Sequence, residues 1–183
     1  MQNIRKGTLA DIPQIAAIYD RLLAQEERGE AVIGWLRGVY PTERTALNAL
    51  EAGTLFVLEQ DGTAAAAAKI DQNQVPEYVN APWRYPDAPS NQVMVLHTLV
   101  VDPARSGQGL GTQFVRFYEQ YALEHRCPYL RMDTNARNTA ARTLYARLGY
   151  WEAGIVPCVF NGIPNVQLVC LEKRLYLNEK AVS

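Results

Sequence analysis

At 183 residues the chain has the length of one domain and can bury a sizeable core without disulfides or metals. Its composition, 48% hydrophobic and 20% charged, excludes a disordered or fibrous class. A formal net charge of -1 and a pI near 6.1 exclude a global basic field for nucleic acid or an anionic membrane, so any polyanionic ligand must be held by local donors.

The N-terminal run Met1-Gln2-Asn3-Ile4-Arg5-Lys6-Gly7 lacks the apolar stretch of a signal peptide, and nowhere do apolar residues run long enough to span a membrane. A cytoplasmic location is therefore expected. Cys127, Cys158 and Cys170 are odd in number and widely spaced, which predicts buried thiols and neither a disulfide framework nor a metal site. With no repeat and no linker in view, one domain is expected over residues 1–183.

A short strand is predicted around Gln2 to Lys6. Thr8-Leu9-Ala10-Asp11 then reads as a capping box opening a helix whose stripe is Ile12, Ile15, Ala16, Tyr19, Leu22 and Leu23. A second helical stretch is expected from Ile33 to Leu50, interrupted near Tyr40-Pro41 because proline lacks the amide donor. Thr54 to Glu59 and Thr63 to Ile70 read as a hairpin around Asp61-Gly62. The alanines Ala64 to Ala68 favour helix by propensity, so a strand there requires packing to override preference.

From Asp71 to Ser90 the chain is too long and proline-rich for a simple turn, which leaves a functional loop and a plain surface excursion both open. Val93 to Val101 suits a central strand buried on both faces. Leu110, Phe114, Phe117, Tyr118 and Tyr121 mark one face of a helix ending near Glu124, and a strand follows from Tyr129 to Asp133. Ala141, Leu144, Tyr145 and Leu148 give a shorter helix stopped by Gly149. Two last strands are expected near Glu152 to Val156 and Val166 to Glu172.

The chemistry-bearing segment lies between the central strand and its helix: Asp102-Pro103-Ala104-Arg105-Ser106-Gly107-Gln108-Gly109-Leu110-Gly111-Thr112. Glycines let successive amides converge without a β-carbon, and a helix N-terminus adds free donors and a favourable dipole for phosphate. A Walker loop would need lysine before Thr112. A dinucleotide fingerprint would place its third glycine one residue after Gly111, although Asp133 stands where a ribose-binding acid would be.

The string Leu99-Val100-Val101-Asp102-Pro103, then Ser106 to Gly111, followed about 30 residues on by Asn138-Thr139-Ala140-Ala141-Arg142-Thr143-Leu144-Tyr145 and Gly149-Tyr150, resembles the two signatures of the GCN5-related N-acetyltransferase (GNAT) superfamily. The resemblance implies an α/β (α+β) fold. Its central sheet is mixed, mostly antiparallel and twisted, with helices on both faces and a splayed parallel strand pair that takes acetyl-CoA. It further implies transfer of an acetyl group from acetyl-CoA to the primary amine of a small molecule or peptide, with no metal. The partners implied are those two substrates, with no nucleic acid and no membrane, and similar proteins are often homodimers.

By the same resemblance, the amides of Gly107, Gln108, Gly109, Leu110, Gly111 and Thr112 hold the pyrophosphate. The Leu99-Val100-Val101 strand pairs with the pantetheine arm through backbone groups. The family usually carries Arg or Gln at Ser106; here Arg105 stands one residue early, so a side-chain contact to phosphate is open between them. Tyr145 occupies the place of a tyrosine that protonates the departing thiolate, and a phenol of pKa about 10 suits a thiol of about 8.5.

Asn138 matches an asparagine that contacts the cofactor, and its place before a helix fits an N-cap equally well. Arg142 would approach the phosphates or remain a solvated surface residue. In one branch of the family a histidine stands where His97 does and moves the amine proton; a hydrogen-bonded core histidine is the competing account. Glu77 and Asp87 are further candidate bases. A non-catalytic acyl-CoA sensor would share most of these residues, but retention of Tyr145 favours an enzyme.

Overall fold

The computed structural model describes residues 3–176, so Gln2 of the expected first strand lies outside them. The elements in chain order are β1 (Asn3–Lys6), α1 (Ile12–Glu27), α2 (Glu43–Glu51), β2 (Leu55–Gln60), β3 (Thr63–Asp71), β4 (Val93–Val101), α3 (Leu110–Glu124), β5 (Tyr129–Asn135), α4 (Thr139–Arg147), β6 (Trp151–Phe160) and β7 (Ile163–Arg174). The strands form one sheet in the order β1-β2-β3-β4-β5-β7-β6. Every neighbouring pair is antiparallel except β4 and β5.

The Thr8 box forms as expected: Asp11 Oδ2 accepts from the Thr8 amide at 2.7 Å and from its hydroxyl at 2.9 Å. The stretch from Ile33 to Pro41 is not helical, and only Glu43–Glu51 of the expected second helix forms. Gly34 and Gly38 adopt φ of +85° and +75°, which a right-handed helix cannot contain. Residues 30–41 instead run irregularly across the sheet, held where Glu26 accepts the Ile33 and Gly34 amides.

The alanine run is a strand because β3 is packed on both faces. Ala64 and Ala67 meet Ile12, Ile15 and Ile18 of α1, whereas Ala65, Ala66 and Ala68 meet Phe114 and Leu110 of α3. Short side chains let two helices sit close to one strand, and burial outweighs local propensity. The last two strands extend beyond the expected residues and form a long hairpin turning at Asn161-Gly162.

One face of the sheet carries α3 and α4. The opposite face is divided between α1 and α2 over β1–β4 and the 72–92 loop over β5–β7. That loop is strapped to the sheet by a buried ion pair. Arg131 of β5 and Glu172 of β7, 4% and 2% exposed, pair at 3.2 Å. Glu172 also accepts the Arg84 amide at 2.9 Å, while Arg131 donates to the Tyr85 carbonyl at 2.8 Å and to Gln74 and lies 4.2 Å from the Trp83 ring centroid.

A buried pair whose remaining polar atoms also hold a loop costs far more to break than to keep, because the partner left behind stays charged and dry. Glu172→Ala is expected to destabilise the protein by about 3–5 kcal/mol, read as a lower denaturant midpoint at neutral pH.

Candidate active site

β4 and β5 pair in parallel only from Val93↔Tyr129 to Leu96↔Met132, after which both strands continue without pairing. Buried Tyr118 of α3 supports the place where they part: its hydroxyl lies 2.6 Å from the Met94 carbonyl and 3.1 Å from that of Arg131. On the other edge of β4 the register with β3 slips. Lys69 faces His97 and Ala67 faces Val100, so three steps along β4 oppose two along β3. Thr98, at φ +52°, is the residue that makes this bulge. The bulge and the parting together leave Leu99, Val100 and Val101 beside a cleft of about 1010 Å³.

The glycine loop closes one end of that cleft. Asp102 caps its first turn through the Ala104 amide at 3.1 Å and pairs in a fork with Arg21 of α1 at 2.9 Å, fixing where the loop leaves the sheet. Gly109 sits at φ +75° as the N-cap of α3 and contributes no capping side chain. The amides of Leu110, Gly111 and Thr112 therefore lie ahead of the first helical bond, from Gln113 to the Gly109 carbonyl at 3.0 Å. A β-carbon on Gly111 would stand 3.2 Å from Leu144 Cδ2, so glycine lets α3 and α4 approach there.

The residues expected from the sequence divide clearly. Leu99, Val100, Val101, Ser106, Gly107, Gly109, Leu110, Gly111, Thr112, Asn138 and Tyr145 all line the cleft. Gln108 does not; its side chain pairs with Gln60 at 3.2 Å. Arg142 also lies outside, in a two-point pair with Glu152 at 2.7 and 2.8 Å and bonded to the Ala136 carbonyl. Arg105 lines the cleft with its guanidinium committed to Gln60 and Thr63, which leaves Ser106 as the less encumbered of the two phosphate candidates. Asn138 caps α4 by accepting the Ala141 amide at 3.1 Å, and its amide nitrogen remains for the cleft.

Tyr145 reaches the cleft from α4 and is 7% exposed. Burial, reinforced by the nearby Asp133 charge, raises this phenol far above its ordinary value and keeps it protonated. His97 stands on the loop side of β4 and is not among the lining residues. Its Nε2 is 3.0 Å from Asp71 Oδ1. Burial alone would raise the Asp71 carboxyl, but the hydrogen bond and charge of His97 hold it well below the usual range.

The group that sequence reasoning left unassigned to the chemistry is Asp133. It lines the cleft at the point where β5 leaves β4, and Tyr78, a buried residue of the 72–92 loop, donates to its Oδ2 at 2.7 Å. Burial pushes the Asp133 carboxyl up, the Tyr78 bond and the neighbouring His97 pull it back, and the balance lies at about 6. Glu77 and Asp87 were the residues of that loop that drew notice in the sequence. The tyrosine beside Glu77 does the work, and only the fold brings residues 78 and 133 together.

A carboxyl whose folded value exceeds its unfolded value is stabilising when protonated and costs stability once ionised. Asp133→Asn is therefore expected to leave stability nearly unchanged near pH 4 and to raise it by about 1–3 kcal/mol above pH 6, read by thermal unfolding across pH. Tyr78→Phe removes a donor to the ionised form and should move the Asp133 titration above 6 in carboxyl 13C NMR.

Comparison with known proteins places this geometry in context. The family model described as Acetyltransferase (GNAT) family matches residues 17–150. A streptothricin acetyltransferase of Escherichia coli is 26% identical over 107 residues, and the match spans 58% of each chain. A GNAT-family acetyltransferase of Streptococcus agalactiae superposes with a TM-score of 0.80 at 20% identity over 96% of both chains. A Salmonella typhimurium protein solved with its cofactor acetyl-CoA gives 0.67 at 20% identity, over 100% of this chain and 98% of that one. These two likenesses show the fold. Among the described residues no helix is long and apolar enough to cross a membrane.

Proposed function

Because the chain belongs to the acetyltransferase (GNAT) family, we propose that it transfers the acetyl group of acetyl-CoA to the primary amine of a small molecule or peptide by direct attack on the thioester. The observation that carries this reading is that one cleft holds the glycine-opened N-terminus of α3, the free edge of β4, the protonated Tyr145 phenol and the Asp133 carboxylate.

The site fits acetyl-CoA on its own geometry. The free amides around Gly109 suit a pyrophosphate, and the edge of β4 from Leu99 to Val101 suits the amide-bearing pantetheine arm as an added strand. A backbone N–H at the Thr98 bulge is the donor placed to polarise the thioester carbonyl.

A primary amine near pKa 10 arrives as ammonium and must lose a proton before its lone pair can attack. Asp133, with a value of about 6, is mostly ionised at neutral pH and faces the cleft, so it takes that proton. His97, hydrogen-bonded to Asp71 on the same side of the sheet, is the next acceptor. The carbon–nitrogen bond forms, the carbon–sulfur bond breaks, Tyr145 delivers its proton to the departing thiolate, and the second proton shed by the acylated nitrogen restores the phenol. Asn138 and Ser106 contribute positioning contacts to the cofactor; Gln108 contributes its amide, and Arg142 acts by fixing the Asn138 turn through the Ala136 carbonyl.

The test combines thiol release with acetyl-CoA binding followed by thermal shift. Asp133→Asn and Tyr145→Phe are each expected to lower kcat by roughly a hundredfold or more while acetyl-CoA still stabilises the protein. His97→Ala should slow turnover less and flatten the acidic limb of the pH profile. Gly109→Val should weaken acetyl-CoA binding, since a branched residue is strained at φ +75° and crowds the amides. Stabilisation by acetyl-CoA without thiol release from any amine would leave only acyl-CoA binding; no stabilisation would remove the cofactor assignment.

A further inference from the structure

Beyond the thioester, the cleft continues onto the loop side of the sheet, and its walls there are unlike those around the glycine loop. Trp35 and Tyr40 of the 30–41 segment stand on one side, with ring centroids 5.9 Å apart and nearly perpendicular. Phe160, Ile163, Val166 and Leu168 of the β6–β7 hairpin stand on the other. Asp133 is the carboxylate between them. Glu30 is the one other acidic residue among the described lining residues, and the basic ones are Arg105, already committed to Gln60 and Thr63, and Arg137 on the turn into α4.

The two walls also meet. Gly34 packs against the Asn135 side chain so closely that no β-carbon would fit, and a β-carbon on Gly162, at the hairpin tip, would lie 3.2 Å from Val39 Cγ1. The 30–41 segment and the hairpin tip thus approach each other closely.

Resting on the acetyl-transfer reading above, we propose that the acceptor is a compact primary amine on an apolar body, aromatic or branched aliphatic, with no carboxylate beside the amine and no second cationic group. Apolar walls gain by removing apolar surface from water and offer nothing to a charged substituent. A polyamine or an aminoglycoside-like polycation needs several free carboxylates, and of the two among the described lining residues Glu30 is already paired with Arg28, which leaves Asp133. An amino acid would put its own carboxylate within reach of Asp133, where Tyr40, Tyr78, Tyr145, Glu77, Cys158 and Cys170 face the group and His97 is already paired with Asp71. A protein N-terminus brings further peptide groups, which apolar walls leave without hydrogen-bond partners.

The experiment measures kcat/KM by thiol release for phenethylamine, L-phenylalanine, spermidine, streptothricin and an alanyl-terminated peptide, with acetyl-CoA binding followed separately by thermal shift. Each buried methylene is worth roughly fourfold, so phenethylamine is expected to exceed the others by roughly tenfold or more. In Ile163→Asp, at a half-buried wall position, that preference should fall by roughly tenfold while stabilisation by acetyl-CoA persists, showing the variant folded. A higher value for spermidine, streptothricin, phenylalanine or the peptide overturns the acceptor class and leaves acetyl transfer standing. An unchanged preference in Ile163→Asp removes the apolar wall from recognition. Stabilisation by acetyl-CoA with no thiol release for any amine overturns the acetyl-transfer reading itself.

Discussion

The parting of β4 from β5 after Leu96 and Met132 is the constraint on which the rest of the structure depends. Two parallel strands that separate inside a sheet expose backbone donors and acceptors in the middle of the protein, where unpaired groups are costly. The fold meets that cost from several directions. Tyr118 supplies a hydroxyl between the strands, β3 keeps the outer edge of β4 paired except at the Thr98 bulge, and Tyr40 reaches across to hydrogen-bond the Thr98 hydroxyl. What remains unpaired faces the cleft. A split sheet thus leaves a free backbone edge facing the cleft, which the proposed cofactor pairing would use.

The side of the sheet opposite α3 and α4 carries an unusual share of polar burial for a small protein. Arg131 and Glu172 pair across β5 and β7 and in addition hold the 72–92 loop through its amides and carbonyls. The loop in turn delivers Tyr78 to Asp133 and covers the apolar cluster of Val93, Val95, Leu168 and Cys170. Stability and site chemistry are therefore joined through one segment without regular secondary structure beyond short 3-10 turns. Loosening the strap would leave the sheet intact and the carboxylate misplaced.

How much of this is legible in the sequence follows from the range of each interaction. The capping box at Thr8, the Asp61-Gly62 hairpin and the glycine loop into α3 are local, and their residues announce them. Leu99 to Val101 and Tyr145 were readable because two signatures occur in order along one stretch. By contrast, the irregular 30–41 segment carries enough apolar residues to resemble a helix, and only the positive φ of Gly34 and Gly38 shows otherwise. Arg142 has a partner ten residues away, invisible as such before β6 is placed beside α4. Asp133 was visible as a residue and not as a raised carboxyl of the cleft, because its environment is assembled from Tyr78, His97 and Tyr145 on three other elements.

The opposed proton affinities of the two central groups are also a product of that assembly. Burial raises both Asp133 and Tyr145, and the carboxylate charge beside the phenol raises the phenol further and keeps it neutral. What separates them is the Tyr78 hydrogen bond and the neighbouring His97, which pull Asp133 down far enough to be ionised near neutrality while nothing comparable acts on Tyr145. A base and an acid thus coexist in one cleft at one pH, the arrangement that amine deprotonation and thiolate protonation require. The same carboxylate that keeps the phenol protonated costs the folded chain stability once ionised, so the proposed chemistry and the stability of the fold draw on one group in opposite directions.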